Sequence, residues 1–151
     1  MKTNTSLLVI LLINFLSFGN AIGQTDEDKV KQVLNEYKTA IEKLDTAGTG
    51  MLFANMSLVI ESGKIEGTYL NYRAHHLGPE LDEFKSFKFS DYKADITVDL
   101  PYAFVTESYK DTIVVKKDNS VAERKGVATS ILRKEKGIWK IMQTHSSSRR
   151  P

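Results

Sequence analysis

The sequence predicts an α+β fold, with helices at the front covering one face of a curved antiparallel sheet of about four long strands. Three observations predict it. Apolar residues recur at helical spacing over residues 25–45, alternate in long runs from residue 85 onward, and are divided there by short turn signals. Helices first and strands last is the order of an α+β domain rather than of alternating α/β units.

The first residues stand apart from the domain. Lys2 gives a short positive start, Leu7 to Phe18 is nearly all apolar, and Ala21-Ile22-Gly23 offers a small-x-small cleavage site. This layout is that of a secretory signal peptide. Residues 1–23 are therefore read as a signal and residues 24–151 as one domain, exported to a periplasm or outside the cell. A membrane-spanning helix needs about 20 apolar residues, more than this run supplies, and no membrane association is expected of the mature form.

Within the domain, Val30, Val33, Leu34, Tyr37, Ile41 and Leu44 form one stripe of a helix over Thr25 to Asp45. Thr25 suits its cap, and Asp26, Glu27 and Asp28 suit the positive end of its dipole. "DTAGTG" breaks it. "MLFANM" reads as a short second helix before the strand "SLVIES", and "GKIEG" as a tight turn or short strand. Thr68 caps a further helix from Tyr69 to about Leu77, with Leu70, Ala74 and Leu77 as its apolar line. Gly78-Pro79 ends or kinks that helix, and "PELDEF" restarts a turn. The long strands follow: "SFKFSDYKADITVDL" with a polar interruption, "PYAFVTESYKDTIVV", "VAERKGVATSILRKE" and "IWKIMQTHSS".

The chain has no cysteine, so neither disulfides nor thiolate ligands support it. Its formal charge is +2, and losing Lys2 brings it closer to neutral. That gives no electrostatic case for nucleic acid. No cofactor is expected.

The order of elements resembles the SnoaL-like branch of the nuclear transport factor 2-like superfamily, in an exported subgroup. "ERKGVATSILRKEKGIWKIMQTHSS" looks like that family's closing hairpin, with Arg-x-Gly, a turn, Trp-x-Ile and a later His. "GTYLNYRAHHLGPELDEF" looks like its third helix, and "MLFANMSLVIESG" stands where many members carry Phe-Ala-Asp-Asp. The resemblance implies a cone-like shell, its sheet wrapped around a pocket closed by helices, often in dimers. Such shells host isomerases, cyclases and dehydratases as well as non-catalytic binding modules, so the site must be argued by residue.

Three histidines lead the candidates. His145 alternates in phase with Trp139, Ile141 and Gln143, and the resemblance implies that this strand face looks into the cone. His76 shares a helix stripe with Tyr69 and Tyr72. His75 lies about 100° away, so at most one of the pair enters a given pocket squarely. Glu107 stands in phase with Ala103, Val105 and Tyr109, where a charge is costly unless partnered. Glu61 follows Val59 near the place where catalytic members put an acid-base residue. Beside each reading stands a structural one: helix-end histidines, a hydrogen-bonding strand histidine, a solvated strand-end glutamate. Asn55-Met56 replaces the family's acidic pair, which weighs against isomerase or cyclase chemistry.

The leading expectation is a pocket for one small hydrophobic molecule, lined by Phe53, Tyr69, Tyr72, His75, Tyr109, Trp139 and Gln143. The alternative is an acid-base enzyme of the isomerase, cyclase or dehydratase type using His145, His76, Glu107 and Glu61. A weaker variant gathers the histidines and a glutamate around Zn or Cu, although no HxxxH or HxH spacing supports it. A homodimer is also expected.

Overall fold

The computed structural model describes residues 23–151, so the expected signal peptide lies outside the described residues except for Gly23. Helix α1, Asp26–Glu42, begins at the expected cap. The Thr25 hydroxyl accepts from the Asp28 N–H at 3.1 Å, and the Asp28 carboxylate accepts in return from the Thr25 N–H at 3.1 Å. This reciprocal pairing satisfies donors that a first helical turn leaves open.

The short helix expected over residues 51–56 is mostly strand. Thr49–Leu52 makes one 3-10 turn, and β1, Phe53–Glu61, starts at once. The Phe53 ring stacks on Tyr69 with centroids 3.6 Å apart, a contact that draws residue 53 into the sheet. β2, Lys64–Gly67, completes a hairpin with β1.

Next come α2 (Tyr69–Tyr72), a π turn (Arg73–Leu77) and α3 (Gly78–Asp82), which run on as one helical segment. Gly78-Pro79 neither ends the segment nor simply kinks it. Pro79 offers no N–H, and its ring would crowd the carbonyl four residues back. The wider π turn absorbs this by sending the Gly78 N–H to the Arg73 carbonyl. A Cβ on residue 78 would lie 2.7 Å from that oxygen, so glycine is required there. The buried face consequently runs through Tyr69, Tyr72, Leu77 and Leu81. Leu70 and Ala74, expected on the apolar line, are exposed instead. The Thr68 cap and the Phe53–Tyr69 stack set the phase of the first turn, and tyrosine rather than leucine faces inward.

The last half of the chain is β3 (Phe84–Asp99), β4 (Tyr102–Val115), β5 (Val121–Glu135) and β6 (Ile138–Arg149). These four long strands form the expected antiparallel meander. The whole sheet nevertheless has six strands, ordered β2-β1-β6-β5-β4-β3, and β1 runs parallel to β6. No tight turn joins β1 to β6, so nothing local imposes the antiparallel direction on that pair. Two irregularities curve the sheet. One, between Ser90 and Lys93, is the polar interruption of β3, with Asp91 at φ 52°. The other falls in β6, where Leu132 pairs with Ile141 but Ile131 pairs with Gln143, leaving Met142 as the extra residue.

Helix α1 packs against β3, at one edge, and against β6, three strands away. The sheet must therefore curl around the helix, which is how a cone-like shell arises. Among the described residues no helix is long and apolar enough to cross a membrane.

Candidate functional site

The inward face of the sheet is solid at one end and hollow at the other. The hollow end encloses a cavity of about 120 Å³ between the sheet, α1 and the 69–82 helical segment. Period-two alternation brings Glu107, Tyr109 and Asp111 of β4 inward, opposite Ala128, Gly126 and Arg124 of β5. β3 adds Phe87, Phe89 and Tyr92, β1 adds Val59 and Glu61, and β6 adds Thr144, Ser146 and Ser148. The helices supply Leu34, Tyr37 and Lys38 on one side and Tyr72, Leu77 and Glu80 on the other.

Two tyrosine–glutamate pairs face this space. The Tyr72 hydroxyl donates to Glu61 Oε2 at 2.7 Å, and the Tyr92 hydroxyl donates to Glu107 Oε1 at 2.5 Å. Burial pushes the Glu107 carboxyl above the ordinary range, although the hydrogen bond from Tyr92 pulls the other way. Burial also raises Glu80, and the nearby Glu61 charge adds to that effect. The phenols shift upward as well. Burial, then the charges of Asp111 and Glu107, push Tyr109 up to about 12, so it stays a donor throughout the physiological range.

Asp111 is different. It is 1 % exposed, and the Arg124 Nε–H donates to its Oδ1 at 2.8 Å. The Arg-x-Gly stretch explains the local geometry. Arg124 and Gly126 are successive inward positions of β5, and a Cβ on residue 126 would lie 2.2 Å from the Tyr109 ring. Glycine there is what lets Tyr109 lie against the cavity wall.

Of the residues expected from sequence, Glu61, Glu107, Tyr72 and Tyr109 line the cavity. His76 stands beside it, its Nδ1 2.9 Å from Glu66 Oε1 and 3.8 Å from Glu61 Oε2, with its ring edge-on to Tyr72. His145 does not enter. The bulge at Met142 reverses the alternation of β6, so Thr144 and Ser146 turn inward while His145 is exposed. Gln143 shares that outward phase and is absent from the lining. His75 is exposed on the far side of the π turn. Phe53, Tyr69 and Trp139 belong to the solid core rather than to the cavity wall. The three histidines therefore do not meet. Among the described residues no group of three or more His, Asp or Glu is placed to hold a metal ion.

Several groups in or beside the cavity escaped the sequence reading. Asp111 continues the Glu107–Tyr109 alternation and could have been found by extending it two residues. Glu80 lines the cavity from α3, beyond the Gly78-Pro79 step where the sequence pattern ends or kinks the helix. Glu66, within a stretch read as a tight turn or short strand, is 7 % exposed and joins Lys64 and His76; Lys64, then His76, hold its carboxyl below the usual range.

In known structures the same fold recurs. A nuclear transport factor 2-like superfamily protein from Salmonella enterica superposes with a TM-score of 0.73 at 18% identity, covering 83% of this chain and 90% of its own. A candidate dehydratase of the NTF2-like family from Streptomyces avermitilis gives 0.73 at 14% identity, covering 82% and 96%. A candidate ketosteroid isomerase from Shewanella frigidimarina gives 0.65 at 22% identity, covering 77% and 92%. At these identities the likeness shows the fold alone. No curated protein matches the chain. The SnoaL-like domain model matches residues 30–151, from the first buried residue of α1 to the end of the sheet, and the chain belongs to that family.

Proposed function

We propose that this chain is an exported SnoaL-like protein that takes up one small, largely apolar molecule in the cavity at the hollow end of its sheet. The observation that supports this most directly is the composition of that cavity. Rings and aliphatic side chains form its walls, and two Tyr–Glu pairs aim polar groups into it, the mix that small-molecule sites show. The pairs orient the polar end of the molecule while the walls exclude water. Two copies pairing through the outer sheet face is part of the same proposal, since Phe104 and Val127 lie there about half exposed (48% and 49%).

The test is native mass spectrometry together with heat-stability screening of small apolar compounds. A bound species and a raised melting temperature are expected, and Ala128→Phe, which fills the cavity from β5, should abolish both while circular dichroism stays unchanged. A cavity that gives no ligand response in the unaltered protein removes the reading. Light scattering tests the pairing.

A second reading is acid-base catalysis. It is favoured by one observation, the half-buried Glu107 carboxyl, raised in pKa by its desolvation, beside a phenol donor. Without His145, the chemistry would rest on Glu107 and Glu61. Turnover of any bound compound that stops in both Glu107→Gln and Glu61→Gln would favour this reading over simple uptake.

A further inference from the structure

A carboxylate withdrawn from water must be compensated by charge or hydrogen bonds. Asp111 has the Arg124 guanidinium at 2.8 Å. Lys38 at the cavity wall pairs with Glu42, at 3.1 Å. Glu66, outside the lining, has Lys64 and His76. Glu61, Glu80 and Glu107 remain, all lining one cavity, and of these Glu80 is only partly offset by the more distant charges of Arg124 and His76. Tyr72 and Tyr92 give Glu61 and Glu107 one hydrogen bond each but no positive charge. Among the described residues the only basic group within 4 Å of Glu61 is the His76 ring, at 3.8 Å and already engaged with Glu66. The cavity thus presents more acid than its own bases neutralise.

The walls fit the same chemistry. Phe87, Phe89, Tyr37, Tyr92 and Tyr109 bring aromatic rings to the space, and ring faces attract cations. The protein already uses two of them so: Lys38 Nζ lies 5.9 Å from the Phe89 centroid and 5.8 Å from that of Tyr92. A metal ion is a poor match, because among the described residues no three acidic or imidazole groups converge on one point. An organic cation needs no such convergence, since one carboxylate contact and the field of the others serve its ammonium while an apolar body occupies the rest.

We infer that the molecule taken up is a small protonated amine with an apolar body, its ammonium group set against the carboxyl wall of Glu61, Glu80 and Glu107 and its body against the tyrosine and phenylalanine rings. This rests on the pocket reading above. At about 120 Å³ the cavity is slightly smaller than one of about 150 Å³ that accepts benzene. The body is therefore one ring or a short branched chain. The amine supplies the charge that the three carboxyls lack, relieves the repulsion between Glu61 and Glu80, and donates where the tyrosines leave oxygen lone pairs free.

The experiment titrates the purified chain, by calorimetry and by thermal shift, with matched probes. Benzyl and isobutyl bodies are each offered as amine, alcohol and carboxylate. The amines should bind about tenfold or more tightly than the alcohols, as charge-assisted hydrogen bonds exceed neutral ones, and the carboxylates should bind least. Glu107→Gln and Glu61→Gln keep shape while removing charge. Each should lower amine affinity severalfold and shrink the ratio of amine to alcohol affinity, with circular dichroism confirming the fold. Alcohols binding as well as amines, or amine preference surviving both substitutions, overturns the cation inference and leaves the pocket standing. Failure of every probe overturns both.

Discussion

The inward face of the sheet changes character partway along β4, β5 and β6, and the two halves form a natural experiment within one fold. On β4, Ala103 and Val105 give way to Glu107, Tyr109 and Asp111; on β5, Leu132 gives way to Ser130, Ala128, Gly126 and Arg124. On β6, Trp139 and Ile141 give way to Thr144, Ser146 and Ser148. The apolar half meets the stacked Phe53 and Tyr69 rings, with Tyr37 edge-on to both, and closes into a packed hydrophobic core. The other half places small residues opposite charged ones, and no close packing results. The difference teaches that the strand backbone makes the shell in both places, whereas side-chain size and charge decide whether the shell is filled.

The largest expected effect lies in the solid half. Trp139 is 3 % exposed, and its indole N–H donates to Asp26 Oδ1 at 3.0 Å, joining β6 to the start of α1. Trp139→Ala should cost about 3–5 kcal/mol, as large core truncations do, read from the denaturant midpoint. A loss below about 1 kcal/mol would mean that this half is no tighter than the other.

Gly126→Ala probes the hollow half. The added methyl must displace the Tyr109 ring, and the expected cost is about 1–3 kcal/mol, typical of overpacking, together with loss of ligand uptake. Unchanged stability and uptake would show that the ring moves aside freely and that the Arg-x-Gly geometry does not shape the cavity.

Titration should separate the halves by sign. Burial raises the Glu107 pKa above its ordinary value of 4.5, so its protonated form is the one the fold favours. That contribution is full below pH 4.5 and is lost as pH rises through the raised value. Glu107→Gln should therefore match the unaltered protein in acid and exceed it in melting temperature toward neutral pH. Asp26 behaves oppositely. Lys134, then Trp139, hold its carboxyl below 3.8, so its contribution is present above that value and is lost as pH falls through the lowered one. Asp26→Asn should lose stability at neutral pH and converge with the parent in strong acid. Parallel pH curves for the two variants would erase the distinction between the halves.

The smallest effect is expected at His145, which faces away from both. His145→Ala should change stability by no more than about 0.5 kcal/mol, as surface substitutions do, and leave uptake untouched. Lost uptake would return that ring to the site.

The α+β class, α1 with its Thr25 cap and the four long strands were legible in the sequence because each depends on local periodicity and local capping. The same local rule correctly placed Glu107 and Tyr109, whose stretch of β4 is regular. It failed where one residue intervenes. The bulge at Met142 turned His145 and Gln143 outward, and the π turn at Arg73–Leu77 brought Leu77 and Leu81 into line with Tyr69 and Tyr72. Periodicity is counted from neighbours, so an inserted residue shifts everything beyond it without changing the pattern on either side. The parallel pairing of β1 with β6, the meeting of Glu61 with Tyr72 and the pairing of Glu66 with His76 join residues whose proximity no spacing encodes. They exist because the sheet curls around α1, and that curl is a property of the packed whole.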